Sequence, residues 1–476
     1  MKFIKNKSIG FICGSQHLYG EKVIQTVSNN VKKIISNLNN SKKIPISINY
    51  TKVVTTSEEI IKTCSDLNND KECIGVIIWM HTFSPSKMWI SGLKKLTLPI
   101  CHLHTQFNKE IPWSKINMDF MNINQSAHGD REFSHLLSRM NISRKIVIGH
   151  WTDENVHEEI GVWTRAALGW DEIQNLKVAR FGDNMRGVAV TEGDKLEAQI
   201  KFGFSVNGYD SDDIFKEIKN LKDVDISPII EEYCNEYEIT KQLRIGGVRH
   251  SSLVDAAKIE LGIERFLEKV GCMAFTTTFE NLGSLKQLPG ISVQRLMKKG
   301  YGFGAEGDWK VAALLRTMKV MADGIHRGTS FMEDYTYHFG SKGNSTLGSH
   351  MLEICPSISD SKPKCEIHPL SIGNRDDPVR LVFNSKTGKG INVSLVDMGS
   401  SFRVILNEVE SIKINNKLPK LPVARVLLYT KPNFIDATRS WMMAGGSHHT
   451  VFSLDLNFDH LIDFCEIAKV ECVKIN

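Results

Sequence analysis

Apolar residues along this chain fall into two rhythms. Short apolar runs at residues 8–13, 46–54, 73–79, 98–102 and 145–148 alternate with stretches of helical period at 21–38 and 57–66. In the first helical stretch Val23, Ile24, Val27, Val31 and Ile35 recur on one side. The run CIGVIIW at 73–79 has no polar alternation, so both of its faces are expected to be buried. Strand–helix alternation of this kind predicts a parallel sheet covered by helices on both faces.

The same alternation resumes near residue 176. Strands are expected at 176–180, 187–190 and 273–278, and helices at 194–200, 254–270 and 308–321. After residue 329 the texture changes. Residues 328–339, 346–354, 379–383, 391–396 and 402–407 read as β runs without comparable helices between them, which predicts an antiparallel sheet or barrel. The expected fold class is therefore α/β: two parallel-sheet α/β domains followed by a mainly antiparallel, barrel-like β domain. The boundaries are expected at 1–175, 176–328 and 329–476. A chain of 476 residues exceeds a single hydrophobic core, which agrees with several domains.

Composition narrows the class of function. Apolar residues make up 41% and charged residues 24%, as in an ordinary globular protein. The net charge of +5 is small, and basic residues are interleaved with acidic ones, so no nucleic-acid partner is implied. No apolar run approaches the ~18 residues of a membrane span, and the N-terminus lacks the apolar core of a secretion signal. A cytoplasmic location without a membrane partner is expected. The ten cysteines include no C-x-x-C pair, and several sit in apolar runs, which predicts reduced, buried thiols.

Five acidic or imidazole positions carry candidate chemistry. Glu333 lies in FMEDYTYHF, where a strand would set Phe331, Glu333, Tyr335, Tyr337 and Phe339 on one face. A carboxylate among aromatics is costly to bury without a cation or a proton; the alternatives are a salt bridge or an aromatic face open to solvent. Glu306 lies in GFGAEGDW, just ahead of a helix, in a glycine-rich turn with little side-chain cover. The same segment matches G-x-G-x-x-G, but a helical pattern precedes it instead of a strand, so a dinucleotide site is discounted. His350 is expected at the head of an apolar strand. His448 and His449 follow two glycines, and on a strand they would point to opposite sides. Two carboxylates with two histidines suit Mn²⁺ or a similar cation and leave room for substrate oxygens. Spacing alone does not bring these residues together.

Read together, ten segments resemble the L-arabinose isomerase family. They are GSQHLYG (14–20), HTFSPSKMWI (81–90), HTQFN (104–108), DFMNINQSAHG (119–129), FGDNMR (181–186), TTTFENL (276–282), EGDWK (306–310), GTSFMEDYTYHF (328–339), GSHMLEICP (348–356) and AGGSHHT (444–450). They run in family order over nearly the whole chain. The resemblance implies two α/β domains followed by a β domain, and interconversion of L-arabinose and L-ribulose by proton transfer through a cis-enediol. It implies one Mn²⁺ per subunit, with Co²⁺ or Mg²⁺ as substitutes, held by Glu306, Glu333, His350 and His449. Glu306 and Glu333 are expected to form the acid/base pair. Substrate contacts map onto Gln16, Leu18, Tyr19, Gln125, His128, Met185, Phe279 and His448. A homohexamer is implied, with a neighbouring subunit contributing to each site; relative to the family, the C-terminal tail is expected to be shortened. The alternative from a different class is a sugar-binding or regulatory protein that kept the fold and lost turnover.

Overall fold

The computed structural model describes residues 3–341, 343–370, 372 and 374–476. The chain forms two compact units, Met1–Asp171 with Ile462–Lys469, and Glu172–Leu461 with Val470–Asn476.

The first unit holds β1 (Ser8–Gly14), β2 (Ser47–Val54), β3 (Cys73–Met80), β4 (Ile100–His104) and β5 (Lys145–Ile148). They form one parallel sheet in the order β2-β1-β3-β4-β5. All eight residues of β3 are buried, as its unbroken apolar run requires. Ile12, Val76, Ile78, Trp89, Phe133 and Leu137 belong to one buried cluster between sheet and helices. The helix Ser57–Asn69 begins where the Thr56 side chain accepts from the Glu59 N–H, an N-cap of the expected chemistry. The strand expected at 98–102 is displaced to Ile100–His104. Pro99 has no N–H to give to the ladder, although its carbonyl accepts from Val76.

The second unit begins with β6 (Lys177–Phe181), β7 (Ser205–Tyr209), β8 (Glu238–Ile239), β9 (Ala274–Thr276) and β10 (Gly302–Gly304). It continues with β11 (Thr329–Gly340), β12 (Gly343–Ser349), β13 (Lys364–Ile367), β14 (Val379–Val382), β15 (Gly388–Asp397), β16 (Phe402–Ile412), β17 (Arg425–Thr430), β18 (His449–Ser453) and β19 (Glu471–Ile475). A parallel sheet runs β10-β9-β6-β7, and β14-β13-β8 form a small mixed sheet. The order β15-β18-β11-β12-β17-β16-β19 makes a seven-stranded sheet, and β15 also pairs with β16. That last pairing closes six strands into an antiparallel ring, with β19 added parallel to β16. The expected α/β class with a barrel-like β region is the observed one.

Three expectations are corrected. Residues 187–190 are not a strand: Gly187 takes φ +79°, and a single 3₁₀ turn, Ala189–Thr191, follows. The run expected at 346–354 ends as a strand at Ser349, so His350 stands just beyond the strand end and not at its head. The last third also carries two helices that its texture does not suggest, Phe434–Met443 and Phe458–Ala468. Among the described residues no helix is long and apolar enough to cross a membrane. All ten cysteines are free thiols, eight of them buried.

Candidate metal centre

Strand register does what sequence spacing cannot. Glu333 of β11 is paired with Ser349 of β12 on one side and with His449 of β18 on the other. Glu333, His449 and the residue before His350 thus fall in one row across three antiparallel strands. The ladder slips between Asp334 and Thr336, so Tyr335 drops out of pairing. Tyr335, Tyr337 and Phe339 are 49%, 46% and 70% exposed. Of the expected aromatic face only Phe331 is buried; its ring meets those of His350 and His449 edge-on at 5.2 and 5.3 Å.

Glu306 reaches the same row from the carboxyl end of β10. Gly302 and Gly304 let this strand lie against the helix Trp309–Met321: a Cβ on Gly304 would sit 2.1 Å from the Asp308 carbonyl oxygen. The chain then turns through Glu306 at φ +59° and Gly307 at φ +84°. A glutamate in the left-handed region is strained, and such strain persists only where the surroundings fix it. Here the Met185 N–H donates to the Glu306 carbonyl at 2.9 Å, and the Gly307 N–H to the Thr277 carbonyl at 3.1 Å.

The four predicted side chains converge. His449 Nε2 lies 3.7 Å from a Glu306 carboxylate oxygen, and His350 Nε2 lies 3.8 Å from one of Glu333. His448 Nε2 lies 3.9 Å from the other Glu333 oxygen. Glu306, His350 and His449 offer ligand atoms within 4.8 Å of one another, as do Glu333, His448 and His449. Each buried imidazole is also held from behind. His449 Nδ1 is 3.1 Å from Asp308 Oδ2, and His350 Nδ1 is 2.5 Å from Glu353 Oε2. A carboxylate accepts only, so both Nδ1 atoms carry a proton, and in the neutral imidazoles both Nε2 lone pairs face the glutamates. Nε2 of His449 is buried and has no hydrogen-bond partner among the described residues. An orphaned imidazole lone pair between two carboxylates fits a divalent cation, and oxygen and imidazole donors suit a hard to borderline one.

The electrostatics agree with a site built around positive charge. Burial holds the Glu333 carboxyl above its usual range, although His350 and His449 pull it down. Burial would lower His350, but Glu353 and the two glutamates outweigh it and hold the imidazole above its usual range. His448 is pushed down to about 4 by burial and by the adjacent His449. Asp308 is buried, yet Lys310 at 3.3 Å and His449 keep its carboxyl below the usual range. Lys310 Nζ is itself anchored on the Glu192 carbonyl at 2.7 Å.

The remaining predicted residues form two groups. In the second unit, Phe279 stacks on His350 with ring centroids 6.1 Å apart, and Met185 is tied to Glu306 through its backbone. In the first unit, Tyr19 donates to Gln125 Oε1 at 3.3 Å, and His128 stacks on Phe83 with centroids 4.6 Å apart. Gln16 precedes the 3₁₀ turn His17–Tyr19, on which Leu18 is 84% exposed. Asp308, Glu353 and Lys310 were not anticipated. Their signals were present: an acid two residues after Glu306 at a helix N-cap, and an acid three residues after His350.

Three family descriptions match the chain in sequence order. The L-arabinose isomerase N-terminal domain matches residues 3–175, the central domain 177–324 and the C-terminal domain 328–471. An L-arabinose isomerase of Flavobacterium johnsoniae is 57% identical over 473 residues, covering 99% of this chain and 94% of that protein. Those of Anoxybacillus flavithermus and Geobacillus stearothermophilus are each 52% identical, covering 100% and 98% of this chain and 95% and 94% of theirs. With every domain of the family matched and identity above half over nearly the full length, this chain belongs to the L-arabinose isomerase family.

Proposed function

We propose that this chain interconverts L-arabinose and L-ribulose, with Mn²⁺ held by Glu306, Glu333, His350 and His449. The observation that carries the reading is the buried, partnerless Nε2 of His449, aimed at Glu306 and backed by Asp308. Co²⁺ or Mg²⁺ would be accepted by the same donors. When bound, the cation supplies Lewis-acid stabilisation of negative charge developing on the sugar oxygens.

The chain's own residues supply the proton transfers. Moving the carbonyl from C1 to C2 requires removal of the C2 proton and delivery of a proton to C1, through a cis-enediol. Glu306 and Glu333 form the acid/base pair: one takes the carbon-bound proton and the other serves the oxygens. Burial of Glu333 raises its basicity toward that of a useful general base. Met185, Phe279 and His448 border the sugar, and Phe279 excludes water beside His350. Gln16, Leu18, Tyr19, Gln125 and His128 contact the sugar from a neighbouring subunit of a homohexamer. Domains 1–175, 176–328 and 329–476 and a cytoplasmic location complete the reading.

The test is ketose formation from L-arabinose by purified protein with added Mn²⁺, with Glu306→Ala as control. Product well above the control is expected, carrying solvent deuterium when the reaction runs in deuterated water. Saturable arabinose binding without product would leave a sugar-binding protein in its place.

A further inference from the structure

The first unit contains an acid–imidazole cluster that the proposed chemistry does not use. Asp130, 1% exposed, lies one turn into the helix Ser126–Arg139. Its Oδ1 accepts from His102 Nε2 at 3.0 Å and from the Met80 N–H at 2.9 Å, and its Oδ2 from His104 Nδ1 at 2.8 Å. A carboxylate has no proton to give, so all three nitrogens donate. In the neutral imidazole, the proton on Nδ1 leaves His104 Nε2 as an acceptor. That atom has no hydrogen-bond partner among the described residues, and the side chain is 27% exposed. His102, by contrast, is buried edge-on against Phe133, with ring centroids 5.3 Å apart.

Position gives this dyad a purpose. His104 is the last residue of β4, at the carboxyl edge of the sheet order β2-β1-β3-β4-β5. In open parallel sheets small ligands bind outside that edge, near the point where strand order reverses, here between β1 and β3 with β4 the next strand. The segments leaving the edge are knotted together by side chains. Thr82 donates to Ser15 at 2.8 Å, and the Trp79 indole donates to the Thr105 carbonyl at 2.9 Å and to Ser126 at 3.2 Å. Gln125, whose N–H donates to the His81 carbonyl, caps the same helix that carries Asp130.

We propose that His104 is a further sugar-binding residue, accepting a hydroxyl proton at Nε2, and that Asp130 is its positioning residue. This rests on the reading above, in which Gln125 and His128 touch the sugar. A hydroxyl donor is the chemistry that matches an imidazole acceptor. Asp130 sets the hydrogen-bond polarity: an asparagine amide in its place, with its N–H₂ toward Nδ1, would move the His104 proton to Nε2 and turn the acceptor into a donor.

The experiment compares wild type with His104→Ala, His104→Gln, Asp130→Asn and Gln125→Ala. L-arabinose affinity is measured by titration calorimetry on the Mn²⁺-loaded protein, with KM and kcat, metal content and the melting midpoint alongside. His104→Ala is expected to weaken affinity and raise KM about three- to tenfold, as for one lost hydrogen bond, with kcat, metal content and melting unchanged. His104→Gln, which keeps a carbonyl acceptor near Nε2, should fall between it and wild type, and Asp130→Asn should resemble His104→Ala. Unchanged affinity in folded His104→Ala, or in folded Asp130→Asn should His104→Ala not fold, while Gln125→Ala weakens binding, overturns this inference alone. A wild type that binds the sugar without turnover overturns the isomerase reading, and the affinities still decide the role of His104. A wild type that neither binds nor converts the sugar overturns both.

Discussion

Oδ2 of Asp308 stands 3.1 Å behind Nδ1 of His449, while Oδ1 of the same carboxylate receives the Val311 N–H at 3.3 Å. One side chain therefore orients a candidate metal ligand and caps the helix Trp309–Met321. Removing it should cost both. Asp308→Ala is expected to weaken Mn²⁺ binding about 10- to 100-fold and to lower stability by about 1 kcal/mol for the lost cap. Asp308→Asn keeps a single acceptor oxygen, which can serve His449 or the Val311 N–H but not both, and should lose less than Asp308→Ala in only one of the two. Metal titration and denaturant unfolding of the two variants separate the effects. Wild-type Mn²⁺ affinity in Asp308→Ala would dismiss the orienting role.

Glu353 and His350 make the parallel case without a cap. Their 2.5 Å contact is buried at both ends. Glu353→Gln retains the side-chain length and presents either an acceptor or a donor to Nδ1. It is expected to lower Mn²⁺ affinity by about tenfold, with little change in melting. A drop in melting without any change in metal affinity would assign Glu353 to packing alone.

His350→Ala and His449→Ala remove candidate ligands outright. Bound Mn²⁺ and isomerase activity should fall together in each variant, to below about a hundredth of wild type at micromolar metal. Elemental analysis after desalting gives the metal and ketose assay the turnover. Full metal content with full activity in either variant refutes its assignment.

What the sequence made legible, and what it hid, follows from the range of the interactions. Local periodicity placed the helix Glu21–Asn39, whose apolar stripe is set by the one layer it packs on, and the strand Cys73–Met80, whose unbroken apolar run is set by cover on both faces. It misplaced residues 187–190, where a positive-φ glycine interrupts a β-like composition, and it ran the strand ending at Ser349 on through His350. The candidate site divides in the same way. Glu306, Glu333, His350 and His449 came from residue chemistry joined to resemblance. Their meeting depends on β18-β11-β12 register and on a left-handed turn at Glu306, which no linear spacing encodes. Asp308 and Glu353 stayed unread because a carboxylate that orients an imidazole looks, in sequence, like any helix cap or surface acid.

Gly304 tests how closely that turn depends on the helix behind it. A Cβ there would lie 2.1 Å from the Asp308 carbonyl oxygen and 3.0 Å from the Ala312 nitrogen, both backbone atoms that side-chain rotation cannot clear. Gly304→Ala should push the helix start away from β10 at a cost of about 1–3 kcal/mol. That corresponds to a fall of roughly 2–5 °C in melting midpoint for a unit of this size. Because Asp308 moves with the helix start, Mn²⁺ affinity should fall as well. Calorimetric melting with and without metal measures both, and unchanged melting would show that strand and helix have room to separate.

Lys145 of β5 provides a test of the first unit by pH. Its Nζ lies 3.0 Å from Asp463 Oδ1, with the lysine 21% and the aspartate 3% exposed. Burial pulls the ammonium down, but the Asp463 charge and hydrogen bond outweigh it and hold Lys145 above its usual range. A lysine raised in the folded state stabilises fully below its unfolded value, ~10.4, and loses that contribution as pH climbs through the folded value. At pH 8 Asp463→Asn should therefore be less stable than wild type by about 1–2 kcal/mol, discounted for the partly exposed lysine. In the variant burial acts on Lys145 against only the weaker pull of Glu159 and Cys101, so its ammonium proton is released more readily and alkali penalises it less. The gap between the two proteins should narrow as pH rises beyond ~10.4. Urea unfolding at pH 8 and again above pH 10 measures the gap. A gap that stays constant over that range would mean the ion pair is not its source.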